Sequence, residues 1–316
     1  MCRRRYAVAL VEAARMLTAG YVILLMMSVA FARAALDLVR RFLQDHDMVD
    51  LNFRGERIPT ACGLLLPLLL AAEVAVRLIA DRAVTAGGTG PTVAAAQDAV
   101  VFWTYGLGVG LVAFVGFIDD AMGVKHVKGL SGHWSEWREQ RVISTGVVKA
   151  GGTAIAALWF VLPISRNESI WQIVCQIVML ALMANGVNLL DVRPGRALKV
   201  FFLLFAAIAV EATASGYTSW YGWQGALPYV LPVLAGACAL FRPDLQGKLM
   251  IGDSGANVLG FAAGCWSIMF CSAALQIAML AACVLLHGLA WRSSLSHAIE
   301  RHPLLLWLDL LGRGRT

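Results

Sequence analysis

Nine apolar stretches, each long enough to cross a bilayer, dominate this chain. They lie at about residues 14–33, 63–80, 100–118, 147–165, 170–190, 198–215, 225–241, 254–270 and 272–290. A membrane-spanning helix needs about 17 to 25 predominantly apolar residues. Within lipid every backbone N–H and C=O must be satisfied inside the segment, so runs of this kind are helices rather than open strands. The expected fold is therefore all-α, a polytopic bundle of about nine transmembrane helices forming a single integral-membrane domain over residues 1–316. Composition agrees. The chain is 59% hydrophobic and 15% charged, against about a quarter charged in soluble domains. So little polar surface requires lipid as the solvent for most of the chain. No internal repeat or low-complexity tract interrupts the pattern.

The net charge of +6 does not point to nucleic acid, because the basic residues sit in short loops between apolar runs. That distribution sets membrane topology. One set of loops carries 19 of the 26 Lys and Arg residues, from Arg33 through Lys149 and Arg193 to Arg315. The opposite side keeps Arg3, Arg4, Arg5, Arg15, Arg77, Arg82 and Arg166. The bias predicts the first set in the cytoplasm, an N-terminus outside and a cytoplasmic C-terminus. A short interfacial helix before residue 14 accounts for Arg3 to Arg5. No cleavable signal is expected, since Glu12 and Arg15 break the first apolar run. The seven cysteines form no CxxC pair and mostly lie inside apolar runs, so they read as small membrane hydrophobes.

Four polar constellations fall in loops on the same predicted side. Gly116-Phe117-Ile118-Asp119-Asp120 ends the third run. Adjacent carboxylates at the negative end of a helix repel each other, and a nearby cation relieves that repulsion. Magnesium takes carboxylate oxygens and keeps its other positions for water and phosphate. A solvated helix end is the plainer alternative. Asn185, Asn188 and Asp191 close the fifth run within a stripe about 120° wide, either for a ligand or for helix packing. Gly252-Asp253-Ser254-Gly255 enters the eighth run, where a helix N-terminus suits a diphosphate. Asp253 or Ser254 would also serve as an N-cap. Arg54-Gly55 through Pro59-Thr60 precedes the second run as a turn with arginines suited to phosphate, or as a topology-setting loop.

In order and sidedness these motifs, together with Lys128-Gly129-Leu130-Ser131, resemble the polyprenyl-phosphate N-acetylhexosamine-1-phosphate transferase superfamily. That group includes phospho-N-acetylmuramoyl-pentapeptide transferase. The resemblance spans about residues 50–260. It implies a magnesium-dependent transfer of a sugar-1-phosphate from a UDP-sugar to undecaprenyl phosphate, with release of UMP, in bacterial cell-envelope polysaccharide synthesis. It further implies a multi-pass protein of the bacterial inner membrane with its site on the cytoplasmic face, and it permits a homodimer. By the same resemblance Asp119, Asp120 and Asp191 are the catalytic candidates, and Asp253 with Asp119 the metal ligands. Arg54, Lys128, Asn185, Asn188, Gly252 and Ser254 would contact substrate, and Arg193 and Arg196 are expected to do so where relatives carry an acid.

The chain departs from the family pattern at three places. The run after Asp191 is Val192-Arg193-Pro194-Gly195-Arg196, where relatives carry a second acid. The histidine-rich motif is replaced by Ser296-His297 through His302. A tenth helix common in relatives is missing. These departures leave room for a rival, a catalytically silent relative that binds lipid phosphate or scaffolds envelope assembly. A transporter is disfavoured, because no inverted repeat appears and the acids cluster at one surface.

Overall fold

The computed structural model describes residues 2–86, 93–123, 144–165, 168–215 and 217–313. It is 83% helical. The order is α1 (Cys2–Asp45), a two-stranded hairpin of β1 (Val49–Leu51) and β2 (Arg57–Pro59), then a 3-10 turn at Cys62–Leu64. α2 (Leu65–Ala86), α3 (Val93–Met122), α4 (Thr145–Ile164), α5 (Ile170–Leu190), α6 (Arg196–Ala214) and α7 (Tyr217–Leu245) follow. The chain continues through α8 (Gly252–Phe270), α9 (Ala273–Arg292), α10 (Leu295–Arg301) and α11 (Pro303–Leu310).

Eight helices among the described residues are long and apolar enough to cross a membrane. The eighth expected span, at 254–270, is the helix α8, and it is not one of these eight. It is the axis of the bundle. Every residue from Ser254 to Ser267 is buried, and α3, α5, α6 and α7 surround it. A helix enclosed by protein can carry Asn257, Ser267 and several glycines that a lipid-facing span would avoid. Gly260 shows how tight the enclosure is, since a Cβ there would lie 2.1 Å from the backbone oxygen of Met183 on α5. The first span also differs from expectation. It covers Gly20–Asp45, so residues 34–45, expected as loop, continue the helix. Leu36, Val39 and Leu43 are buried on one face, while Arg40 and Arg41 interrupt the apolar run that the sequence shows.

Serines start three of the spans. Ser144 accepts the N–H of Val147 at the head of α4. Ser169 and Gln172 form a capping box on α5, and Ser272 accepts the N–H of Leu275 on α9. Each satisfies a donor that the first helical turn leaves unpaired. The spans alternate in direction, so α1, α3, α5, α7 and α9 end where α2, α4, α6 and α8 begin. Ties across that end include Lys149 to Asp119, Asn188 to Asp253 and Arg193 to Glu300.

The remainder of the loop expected at 34–62 holds the hairpin. Val49 pairs with Pro59, and Leu51 with Arg57. Asn52 makes the turn: its side-chain oxygen accepts the N–H groups of Arg54 and Glu56 at 2.8 and 2.9 Å. Its amide donates to Gly247 O at 2.9 Å, which fastens the hairpin to the segment that leads into α8. In α2, Arg77 sits 3.5 Å from Glu73, an i, i+4 pair, and lies over the ring of Phe102.

Candidate functional site

The N-terminus of α8 is held in place by groups distant in sequence. Pro59 O accepts from Met250 N, and Met250 O and Ile251 O accept from Cys62 N and Gly63 N, all within 3.0 Å. Backbone meets backbone here, since a Cβ on Gly63 would lie 2.1 Å from the Cα of Gly255. Asp120, at the end of α3, completes the anchor. Its two oxygens accept the N–H groups of Asp253 and Ser254 at 2.8 and 2.9 Å. These are orphan donors of the first helical turn. The cap of α8 is therefore Asp120, 133 residues away, and neither Asp253 nor Ser254 fills that role. Ser254 is fully buried, with its hydroxyl 3.5 Å from Ala61 O, rather than presented to a substrate.

This anchoring leaves the Asp253 side chain free to face its neighbours. Its Oδ2 receives the ammonium of Lys149 from α4 and the amide of Asn188 from α5, the latter at 3.2 Å. The same ammonium donates to Asp119 Oδ2 at 2.7 Å. Four helices thus deliver Asp119, Lys149, Asn188 and Asp253 to one point. The side chains of Asp119, Lys149 and Asp253 are 18%, 16% and 27% exposed, so the cluster is open at one side. Burial, reinforced by the hydrogen bond to Asp119, raises the Asp253 carboxyl above its usual range, against the pull of Lys149. Asp191 lies beside this point. Burial first, then the charges of Asp244, Asp253 and Asp120, hold its carboxyl well above the usual range, while a hydrogen bond from the Gly252 N–H opposes them.

The remaining expected site residues are placed as follows. Asn185 donates to His287 Nε2 at 3.0 Å. His287 Nδ1 lies 2.8 Å from Cys283 O. A carbonyl only accepts, so Nδ1 carries the proton and Nε2 accepts from Asn185. Arg54 is exposed at the hairpin tip, its guanidinium 4.8 Å from the Phe53 ring. Gly252 takes a positive φ of 70° against the Asp120 carboxylate. Arg193 is half exposed and pairs with Glu300 at 3.0 Å. Arg196, expected to meet substrate, is instead 4% exposed, and its guanidinium is spent on Asp309. Lys128 lies outside the described residues.

Sequence reasoning did not select Lys149, Asp244, His287 or Asp309 for the site. Lys149 did leave a signal: a lysine five residues into a spanning helix, near the positive end of the dipole and the membrane boundary, needs a strong reason to be there. The other three are recognised only by partners 49 to 113 residues away.

Magnesium is implied by the resemblance, and the donor set suits it. Two carboxylates reach one cation, here an ammonium, and hard oxygen ligands of that number match an ion that keeps water and phosphate in its other positions. Among the described residues no three His, Cys, Asp or Glu side chains are grouped as a complete metal cage. The family described as Glycosyl transferase family 4 matches residues 102–271, more than half of the chain. That interval contains Asp119, Asp120, Lys149, Asn185, Asn188, Asp191 and Asp253. No curated protein matches the chain significantly.

Proposed function

The chain belongs to glycosyl transferase family 4, and from that premise we propose that it transfers a sugar-1-phosphate from a UDP-sugar to undecaprenyl phosphate. Membership supports a membrane-bound phospho-sugar transferase acting on polyprenyl phosphate. The finer reading names an N-acetylhexosamine-1-phosphate donor and a place in bacterial envelope polysaccharide synthesis. The observation that carries it is the convergence of Asp119, Lys149, Asn188 and Asp253 from four helices at one end of the bundle.

In the proposed reaction an oxygen of the lipid phosphate attacks the sugar-bearing phosphorus. The anhydride bond to the other phosphorus breaks, and UMP leaves with that bond's electron pair. The product is a lipid diphospho-sugar. Lipid phosphate is largely ionised near neutrality, so no residue has to act as a strong base, and Asp119 acts by positioning the acceptor. Asp119 and Asp253 would hold magnesium, which would supply charge neutralisation for the diphosphate. Lys149 keeps the two carboxylates together and offers donors to phosphate oxygens at the same point. Asn188 fixes the rotamer of Asp253. Asp120 acts one step back, by anchoring the turn that carries Asp253. Arg193, exposed in the loop after Asp191, is the arginine of that loop available to the donor.

Phosphoryl transfer needs positioning and charge stabilisation more than covalent chemistry, and this cluster provides both. Purified protein in lipid nanodiscs should release UMP from one or more UDP-N-acetylhexosamines when undecaprenyl phosphate and magnesium are present. Absence of release across a UDP-sugar panel, with lipid phosphate still bound, would move the protein to the silent class.

The positive-inside bias of the loops supports a site on the cytoplasmic face. Ser293 is exposed at the site-bearing end. A Ser293→Cys variant with Cys175→Ser and Cys2→Ser should resist impermeant maleimide in intact cells and react once membranes are opened. Ready labelling in intact cells would turn the site away from nucleotide substrates.

A further inference from the structure

The segment after the last span reverses the usual amphipathic rule. In α11 the sequence PLLLWLDL exposes Leu304, Leu305, Trp307, Leu308 and Leu310, each between 39% and 68%. Its one buried residue is the acid, Asp309. Such a helix is stable with its apolar side in lipid and its polar side on protein. It begins 11 residues after Arg292, where the last span ends, so it stays close to the bilayer surface. Exposed Arg292 and Arg301 flank it and complement anionic headgroups.

The protein-facing side is fixed to one loop. Arg196 grips Asp309 through Nε and Nη2 at 2.7 and 3.0 Å, and Ser296 through Nη1 at 3.1 Å. Arg313 joins Asp309 at 2.8 Å and donates to Pro194 O at 3.0 Å. Lys199 donates to the carbonyls of Leu308 and Asp309 at 3.0 and 2.8 Å, which occupies acceptors that the end of a helix leaves open. Burial would raise the Asp309 carboxyl, but Arg196, then Arg313 and Lys199, outweigh it and hold it below the usual range. From the other side Asp244 of α7 accepts the Gly195 N–H at 2.8 Å. Residues 194, 195, 196 and 199 are therefore all tied, and they follow directly from Asp191, whose carboxylate faces the Asp253 turn.

We propose that α11 is a lipid-seated strut and that Asp309 is a positioning residue, holding the loop that places Asp191 beside the reaction centre. The proposal rests on the transferase reading for its kinetic consequence but not for its geometry. It lies beyond the interval that matches the family, which ends at residue 271. A buried bidentate Arg–carboxylate pair tolerates little change, because loss of one partner leaves an unpaired charge.

Three measurements on the full-length protein in phosphatidylglycerol/phosphatidylcholine nanodiscs test it. In Asp309→Asn, hydrogen exchange should accelerate at 191–199 and 303–313 together by about tenfold or more, with α3 and α5 amides unchanged. Turnover should fall by about tenfold in kcat with little change in KM, because a displaced loop costs orientation rather than binding. Asp309→Glu should recover part of both effects. Unchanged exchange at 191–199, or acceleration spread over all helices, would overturn the positioning role.

A spin label at Leu304→Cys, with Cys175 and Cys2 replaced by Ser, reports the environment even if Asp309→Asn fails to fold. Strong collision with dissolved oxygen and weak collision with an aqueous nickel chelate is expected. Strong aqueous access overturns lipid seating. Low access to both reagents overturns it too, since a protein surface would then cover the face. Intact exchange and label results in a protein without turnover would refute the transferase reading and leave the strut standing.

Discussion

Asp253→Asn should lower turnover by about a hundredfold or more, about 2.7 kcal/mol in the barrier, while expression and thermal stability stay near the parent values. The two halves of this expectation have separate causes. Folding is spared because the first turn of α8 is capped by Asp120 and not by Asp253. An amide at 253 keeps an oxygen for the Asn188 donor, and Lys149 keeps Asp119. Activity is not spared, because the substitution removes a formal charge from the point where a cation and a diphosphate must be stabilised together. Preorganised charge in a partly dehydrated site is worth several kcal/mol to a charged transition state. Purified parent and variant, compared for UMP release under saturating magnesium and for melting temperature, give both readings. Near-parental turnover would remove Asp253 from the metal site. A large fall in melting temperature would mean that its role is structural.

The sequence carried the global plan of this protein because hydrophobicity over 17 or more residues is a strong local signal, and lipid leaves helices as the solution. The motifs Asp119-Asp120, Asn185 through Asp191 and Gly252-Asp253 were likewise visible as polar residues at the ends of such runs. What stayed hidden were partnerships. Asp119 and Asp120 look equivalent in sequence, yet one joins the Lys149 cluster and the other caps a helix. Arg193 and Arg196 look like a pair, yet the first is at the surface and the second is buried on Asp309. Asn185 and Asn188 share a helix face, yet one turns to His287 and the other to Asp253. Which neighbour each side chain meets decides each case, and that is a tertiary property.

α8 is a different case, the one expected span that is not among the eight long, strongly apolar helices. An apolar run says that a helix avoids water, but it does not say whether protein or lipid replaces the water. The extra information lay in Gly260 and Gly264, which let α5 approach closely, and in the buried Asn257, whose amide donates to Asp253 O at 2.6 Å. α1 ran further than expected. The apolar count stopped at Arg33, although Leu36, Val39 and Leu43 continued the buried stripe at helical spacing.

Lys149→Met should produce an effect of comparable size through the opposite charge. The ammonium is the common partner of Asp119 and Asp253, so its loss leaves two carboxylates facing each other without a cation. Breaking one side of a fully buried ion pair costs about 3–5 kcal/mol. With side chains here 16% to 27% exposed, the lower end of that range applies. Methionine keeps the length and apolar stem of lysine, so the loss is electrostatic and not a cavity. A divalent cation would then have an emptier and more negative site to enter. Magnesium should raise the melting temperature of Lys149→Met more than that of the parent, since a ligand that binds only the folded state stabilises it by mass action. Turnover should still fall by about a hundredfold, because the ammonium also supplies donors to the transferring phosphoryl group. A variant destabilised but insensitive to magnesium would show that Asp119 and Asp253 do not share a metal. A variant with normal turnover would confine Lys149 to a folding role and shift the search for phosphate donors to Arg193 and the hairpin tip at Arg54.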